Sequence, residues 1–222
     1  MQKSHAPSPS SETTGHRGRG RPRAFDREAA LAEATRLFWV KGYEATSISD
    51  LTDAMGIGSP SLYAAFGSKE ALYAEALAYY RKTFDAFVWS NFQSAATARE
   101  AVAAFLRDSA AALTGYVADN PCGCMVTLSA VGSEGHPELG DLVRTAREAT
   151  LDRLKARLER AVGEGEISAA TDIHALARYI QTVQNGMSIL ARDGVCCEEL
   201  RAVASAAMLS WDAYTAGPAP QG

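Results

Sequence analysis

The sequence predicts an all-α protein. An N-terminal three-helix module of helix-turn-helix type is followed by a larger helical domain, about nine helices in all. Three observations lead there. Apolar residues recur at steps of three and four from Ala30 to Trp211, and no stretch alternates apolar and polar residues as a half-buried strand does. Residues 46–66, Thr-Ser-Ile-Ser-Asp-Leu-Thr-Asp-Ala-Met-Gly-Ile-Gly-Ser-Pro-Ser-Leu-Tyr-Ala-Ala-Phe, read as two short helices joined by a tight turn. The periodic stretches are bounded by capping residues on one side and by glycine or proline on the other.

The chain has 222 residues, 47% hydrophobic and 22% charged, enough for a core in one or two small domains. No apolar run approaches the ~18 residues of a membrane span. The N-terminus shows no apolar stretch of the secretory kind. The expectation is a cytoplasmic protein with no membrane partner. The net charge of -4 hides an asymmetry. Residues 1–23 carry Lys3, Arg17, Arg19, Arg21 and Arg23 against Glu12 alone, a net +4, which leaves -8 for the rest. A basic arm on an acidic body points to local contact with nucleic acid and a different task for the body.

Residues 1–23 are expected to be a disordered basic arm, because Ser, Pro, Thr and Gly dominate them. His16 to Arg23 alternates arginine with small residues, and its Gly-Arg-Pro resembles the core of an AT-hook. Arg19, Arg21 and Arg23 are candidates for entry into a narrow minor groove; the other reading is a solubilising tail. Asp26 caps the first helix, which buries Ala30, Ala34, Leu37 and Phe38 and closes at Gly42. Thr46 or Ser47 caps the second, with Ile48, Leu51 and Met55 on its inner face. Gly56 ends it, where a positive φ is cheap, and Ile57 plugs the turn. Gly58 or Ser59 caps the third helix, and Pro60 suits its first turn. Leu62 and Phe66 point inward, so Ser59, Pro60, Ser61 and Tyr63 point out at the helix start, as a major-groove reader requires.

Ser68 caps the fourth helix, which runs from Glu70 to about Phe92. Lys69 at its start opposes the helix dipole; it is either a solvated lysine or one side of a phosphate site shared with the helix amides. Further helices are expected over about 98–118, 124–131, 138–162, 172–191 and 198–214. Residues 24–70 thus make a helix-turn-helix domain, 71–216 the larger domain, and 217–222 a flexible tail.

The run Phe38-x3-Gly42-Tyr43-x2-Thr46-Ser47-Ile48-x2-Leu51, then Met55-Gly56-Ile57, Ser61-Leu62-Tyr63-x2-Phe66 and Ser68-Lys69-Glu70-x-Leu72, resembles the DNA-binding domain of the TetR (tetracycline repressor) family of transcriptional regulators. The likeness spans residues 24 to about 75. It implies a homodimeric, all-helical repressor with a ligand-binding C-terminal domain. It also implies that Thr46 or Ser47, Tyr63 and Lys69 grip phosphates while Ser59, Pro60 and Ser61 face the bases of a palindromic operator in double-stranded DNA. The third helix has no arginine or glutamine to read bases, so selectivity is expected to lean on the arm, on thymine methyl contacts and on DNA shape.

The last two long helices carry Leu176, Ile180, Val183, Met187, Leu190, Leu200, Val203, Ala207, Met208 and Trp211, too apolar for a lone surface pair. Two such pairs about a two-fold axis make a four-helix bundle. Tyr79, Phe84, Phe87, Trp89, Phe105 and Tyr116 are more aromatic than a small helical core requires. Together they predict an apolar pocket for a small effector, apolar or aromatic. Cys122 and Cys124 form a C-x-C near a helix start and are a candidate redox sensor, or merely small buried hydrophobes. His5, His16, His136 and His174 are scattered with no partner at ligand spacing, so no metal or other cofactor is expected. No phosphate loop, nucleophile elbow or carboxylate pair supports an enzyme. The expected function is a ligand-responsive transcriptional repressor. The alternatives are a redox-responsive regulator using Cys122 or Cys124 and a non-specific architectural DNA protein using the arm.

Overall fold

The computed structural model describes residues 25–117 and 120–215, without the side chain of residue 85. The basic arm with Arg19, Arg21 and Arg23 and the tail at 217–222 lie outside the described residues. Within them the chain forms ten α-helices and no strand. They are α1 (Arg27–Lys41), α2 (Ile48–Met55), α3 (Ser59–Phe66), α4 (Lys69–Ser94), α5 (Ala98–Leu113), α6 (Met125–Leu128), α7 (Pro137–Gly163), α8 (Ile173–Arg192), α9 (Cys197–Leu209) and α10 (Trp211–Thr215).

The helix starts are held by side chains that satisfy first-turn amides. The Asp26 carboxylate accepts from the amides of Glu28 and Ala29. Ser47 with Asp50 and Thr97 with Glu100 form reciprocal capping boxes on α2 and α5. Ser68 and Asp172 cap α4 and α8. Gly56 ends α2 in the left-handed conformation, φ 65° and ψ 34°, which lets the chain turn into α3 without a Cβ penalty.

Two apolar clusters organise the molecule. The first gathers Ala34 and Phe38 of α1, Leu51 of α2, Leu62 and Phe66 of α3 and Leu72, Tyr73 and Leu77 of α4. It also takes in Met125 and Val126 of α6 and Leu139 and Val143 of α7, so the head is fused to the body rather than tethered to it. The second holds Trp89, Phe105, Leu106, Leu154, Leu158, Leu176, Ile180, Met187, Leu200 and Trp211. Helix α4, 26 residues and so about 39 Å long, passes from one cluster to the other.

Several boundaries differ from the sequence reading. Helix α5 stops at Leu113 rather than near 118, because the Thr114 hydroxyl donates back to Ala110 O (2.8 Å) and Gly115 turns to φ 71°. The apolar run 124–131 supplies only the single turn of α6, its remaining residues forming a loop. The last expected helix is two, α9 and α10, parted at Ser210, whose hydroxyl donates to Ala207 O (2.8 Å). That break lets Trp211 return to the core.

Candidate nucleic-acid interface and ligand cavity

Helix α3 sits on the head with Leu62 and Phe66 buried and Ser59, Pro60, Ser61 and Tyr63 exposed. The spacing of four between the two buried residues fixes which face turns out. Arg27 locks the arrangement. Its guanidinium donates to both oxygens of Glu75 (2.8 and 2.7 Å) and to Ala65 O near the end of α3, and it lies 4.5 Å from the Phe66 ring centroid. One side chain thereby joins α1, α3 and α4.

Ser47 is exposed, but its hydroxyl is engaged in the α2 cap, accepting from the Asp50 amide (3.0 Å) and donating to the Asp50 carboxylate (2.8 Å). Thr46 is a correction: it is buried, and its hydroxyl donates to Gly42 O (2.6 Å), so it fastens the turn after α1 and cannot reach a phosphate. Lys69 begins α4 half-buried, with Nζ 4.2 Å from the centroid of the Tyr43 ring. It has no ion pair among the described residues; the aromatic face stabilises the ammonium and keeps it at the helix start.

The electrostatics around this tip are local. Lys41 donates to Asp50 (2.9 Å), and with the Ser47 amide and hydroxyl it lowers the Asp50 carboxyl to about 2. Tyr43 donates its hydroxyl to Glu70 (2.8 Å), and burial together with that carboxylate raises the phenol above its usual range. Hydrogen bonds from its own amide, from Ser68 and from Tyr43 lower Glu70. His136, before α7, pairs with Glu44 and stacks edge-on against Tyr43, centroids 4.6 Å apart. His136 lies in the loop before α7, where these contacts join body to head.

The body contains a cavity of about 90 Å³, several times the ~10–15 Å³ that one water requires. Phe84, Phe105 and Trp89 line it, as expected from the sequence. Tyr79, Phe87 and Tyr116 do not. Tyr79 packs against the head cluster, Phe87 is exposed, and Tyr116, beyond the end of α5, is 71% exposed beside Arg201. The pocket is also not wholly apolar. Its aromatic lining, Trp39, Tyr80, Phe84, Trp89 and Phe105, comes from α1, α4 and α5; its polar lining includes Thr127, Arg147, Thr150, Gln181, Gln184 and Asn185 of α6, α7 and α8.

Trp39 belongs to α1, a head helix, and the sequence reading did not place it in the pocket. Its indole stacks edge-on to Tyr80 and Phe84 (both 4.8 Å) and donates to Gly123 O (3.0 Å). Gly123 has φ 82°, and a Cβ there would meet the Leu128 side chain at 2.5 Å and Ser188 O at 2.9 Å. Arg192, the last residue of α8, donates to Cys122 O (2.9 Å), Trp39 O (2.9 Å) and Val40 O (3.2 Å). The end of α1, the 122–124 segment and α8 are therefore bolted together beside the cavity. Gln181 and Gln184 did leave a signal: they interrupt the apolar stripe Leu176, Ile180, Met187.

Cys122 and Cys124 are free and half-buried, and Cys124 lines the cavity. Among the described residues no group of His, Cys, Asp and Glu is arranged to hold a metal, and no helix is long and apolar enough to cross a membrane. Of the stripe on α8 and α9, Leu176, Ile180, Met187, Leu200 and Trp211 are buried within the chain. Tyr179, Ile189, Leu190, Val203 and Leu209 remain exposed, Leu209 at 83%.

Comparison with known proteins agrees with this architecture. The model of the family described as bacterial regulatory proteins, tetR family, matches residues 30–76. The chain is 36% identical over 200 residues to the HTH-type transcriptional repressor ComR of Escherichia coli (strain K12), covering 88% of this chain and 93% of ComR. It is 33% identical over 192 residues to the repressor BdcR of the same organism, covering 85% and 90%. A cysteine mutant of the TetR family regulator CifR, solved with 26-base-pair double-strand operator DNA, superposes with a TM-score of 0.81 at 41% identity, covering 86% of this chain and all of that one. The chain belongs to the TetR family of bacterial transcriptional regulators.

Proposed function

We propose that this protein is a cytoplasmic transcriptional repressor that binds a palindromic operator as a homodimer and lets go when a small molecule enters the cavity. The observation that carries the reading is the outward face of α3: Ser59, Pro60, Ser61 and Tyr63 stand exposed on a helix whose opposite face is buried in the head. A single helix start presented in this way fits the major groove. Two relatives described as repressors, and a similar regulator solved with its operator, support it.

In this reading Ser59, Pro60 and Ser61 meet base edges. Tyr63, Lys69 and the Ser47 segment contact phosphates, and Arg19, Arg21 and Arg23 follow the minor groove. The exposed apolar face of α8 and α9 joins two copies, setting the α3 helices roughly 34–36 Å apart, one DNA turn. An aromatic effector displaces the Trp39 indole or spreads α4 at Tyr80 and Phe84, and either movement turns the head. It acts only through its different affinities for the two head positions.

Selection of fragmented genomic DNA on the purified protein, followed by gel shift at physiological salt, tests this. Tyr63→Ala and Lys69→Ala should weaken binding to all sequences alike, and Ser61→Ala should change the preference among them. Unchanged operator affinity in Tyr63→Ala would refute the phosphate role. A chain that sediments as a monomer would remove the two-fold geometry. Cys124 in the cavity wall favours a second, redox reading; replacing Cys122 and Cys124 by serine should then abolish a peroxide response, and an unaltered response eliminates it. Deleting residues 1–23 weakens a sequence-selective regulator but abolishes binding by an architectural protein.

A further inference from the structure

The polar wall of the cavity contains a group with no structural employment. Gln184 on α8 is only 9% exposed and lines the cavity, yet its amide has no hydrogen-bond partner among the described residues. Its neighbours are engaged. Gln181 donates to Arg147 O (2.8 Å) and accepts from Arg178 (2.9 Å), and the Asn185 carbonyl accepts from Thr127 (3.0 Å). With no internal bond to hold it, the Gln184 amide is open to a group that enters the cavity, as donor or as acceptor.

The charge of the wall narrows what arrives. Arg81, Arg147 and Arg153 line the cavity, and no Asp or Glu does so among the described residues. Arg147 donates from Nε and Nη2 to Val126 O, Thr127 O and Ser129 O (2.8–3.1 Å), which engages one edge of the guanidinium without neutralising it, because carbonyls carry no net charge. Such a wall repels an ammonium group and favours an anionic oxygen. The aromatic lining of Trp39, Tyr80, Phe84, Trp89 and Phe105 offers rings to a flat apolar body.

We infer that the cavity takes a small aromatic carboxylate, its ring among the five aromatic side chains and its carboxylate accepting from the Gln184 amide on the arginine-rich side. The inference rests on the cavity being the effector site and names the class of effector. Calorimetry on the full chain with phenylacetate, phenylacetamide, phenethylammonium and toluene tests it. Phenylacetate should bind at least about tenfold more tightly than phenylacetamide, since charge-assisted hydrogen bonds are the stronger, and phenethylammonium should give no heat. Gln184→Leu should lose about tenfold in phenylacetate affinity with no fall in melting temperature. Gln184→Glu, of the same shape, should reject phenylacetate and admit phenethylammonium. Equal or tighter binding of the amide, the ammonium or toluene overturns the carboxylate and leaves the cavity as effector site. So does undiminished phenylacetate binding by Gln184→Leu. Binding of none of the four overturns the effector-site reading as well.

Discussion

The head and the body bury their polar groups in opposite ways. In the head, Arg27, Tyr43, Thr46, Asp50 and Glu70 all have partners, and Phe38, Tyr43 and Tyr73 interlock with centroids 5.1–6.1 Å apart. In the body, a cavity persists, Gln184 lacks a partner among the described residues, and Arg157, 6% exposed, leaves Nε and one terminal nitrogen without hydrogen bonds. A head that presents α3 in one orientation pairs these polar groups internally. In the proposed function the body answers to a ligand, and a cavity with unmet hydrogen bonds leaves something to be gained on binding.

The largest test of this contrast compares two buried phenylalanines. Phe66→Ala in the head should cost about 3–5 kcal/mol, while Phe105→Ala, which borders the cavity, should fall at or below about 3 kcal/mol. Urea unfolding of the two variants decides it, and the reverse order would break the comparison. Next comes the bolt between the regions. Arg192→Met removes three hydrogen bonds to backbone carbonyls and should cost about 2 kcal/mol, and Trp39→Phe about 1 kcal/mol. A double-mutant cycle should show coupling between them, since both hold the end of α1 against the 122–124 segment.

Tyr43→Phe should cost about 1 kcal/mol through the lost bond to Glu70, read from the same unfolding curves. The acid response gives a finer test. The Asp50 carboxyl is lowered from its usual value of 3.8 to about 2, so its contribution is complete above 3.8 and disappears as pH falls toward 2. Melting temperatures measured from pH 5 to pH 2 should drop less steeply in Asp50→Asn than in the parent. The smallest effect is expected at Gln184→Leu, within about 0.5 kcal/mol of the parent, because no internal bond is lost. A large loss of stability there would mean that the body is as tightly satisfied as the head.

The head was legible in the sequence almost residue by residue. Asp26, Ser47, Gly56, Pro60 and Ser68 act within one turn of where they stand, and Leu62 with Phe66 fixes the outward face of α3. Thr46 and Ser47 stayed alternatives in the sequence because two adjacent hydroxyls can each cap α2, and only packing decides which is buried. The cavity was half legible. Phe84, Trp89 and Phe105 announced themselves as surplus aromatics, whereas Tyr116 failed once α5 ended at Leu113.

What the sequence alone determined, then, was the set of helices, their caps and the tip of α3, because those depend on neighbours three or four positions away along the chain. Only the tertiary structure decided that Trp39 of a head helix lines the cavity of the body. It alone set Arg192 against three carbonyls belonging to two other segments, and left Gln184 facing a gap between α4, α5, α7 and α8. Those facts join residues some 60 to 150 positions apart, and no local preference encodes such distances. They follow from how the packed helices close around space they do not fill.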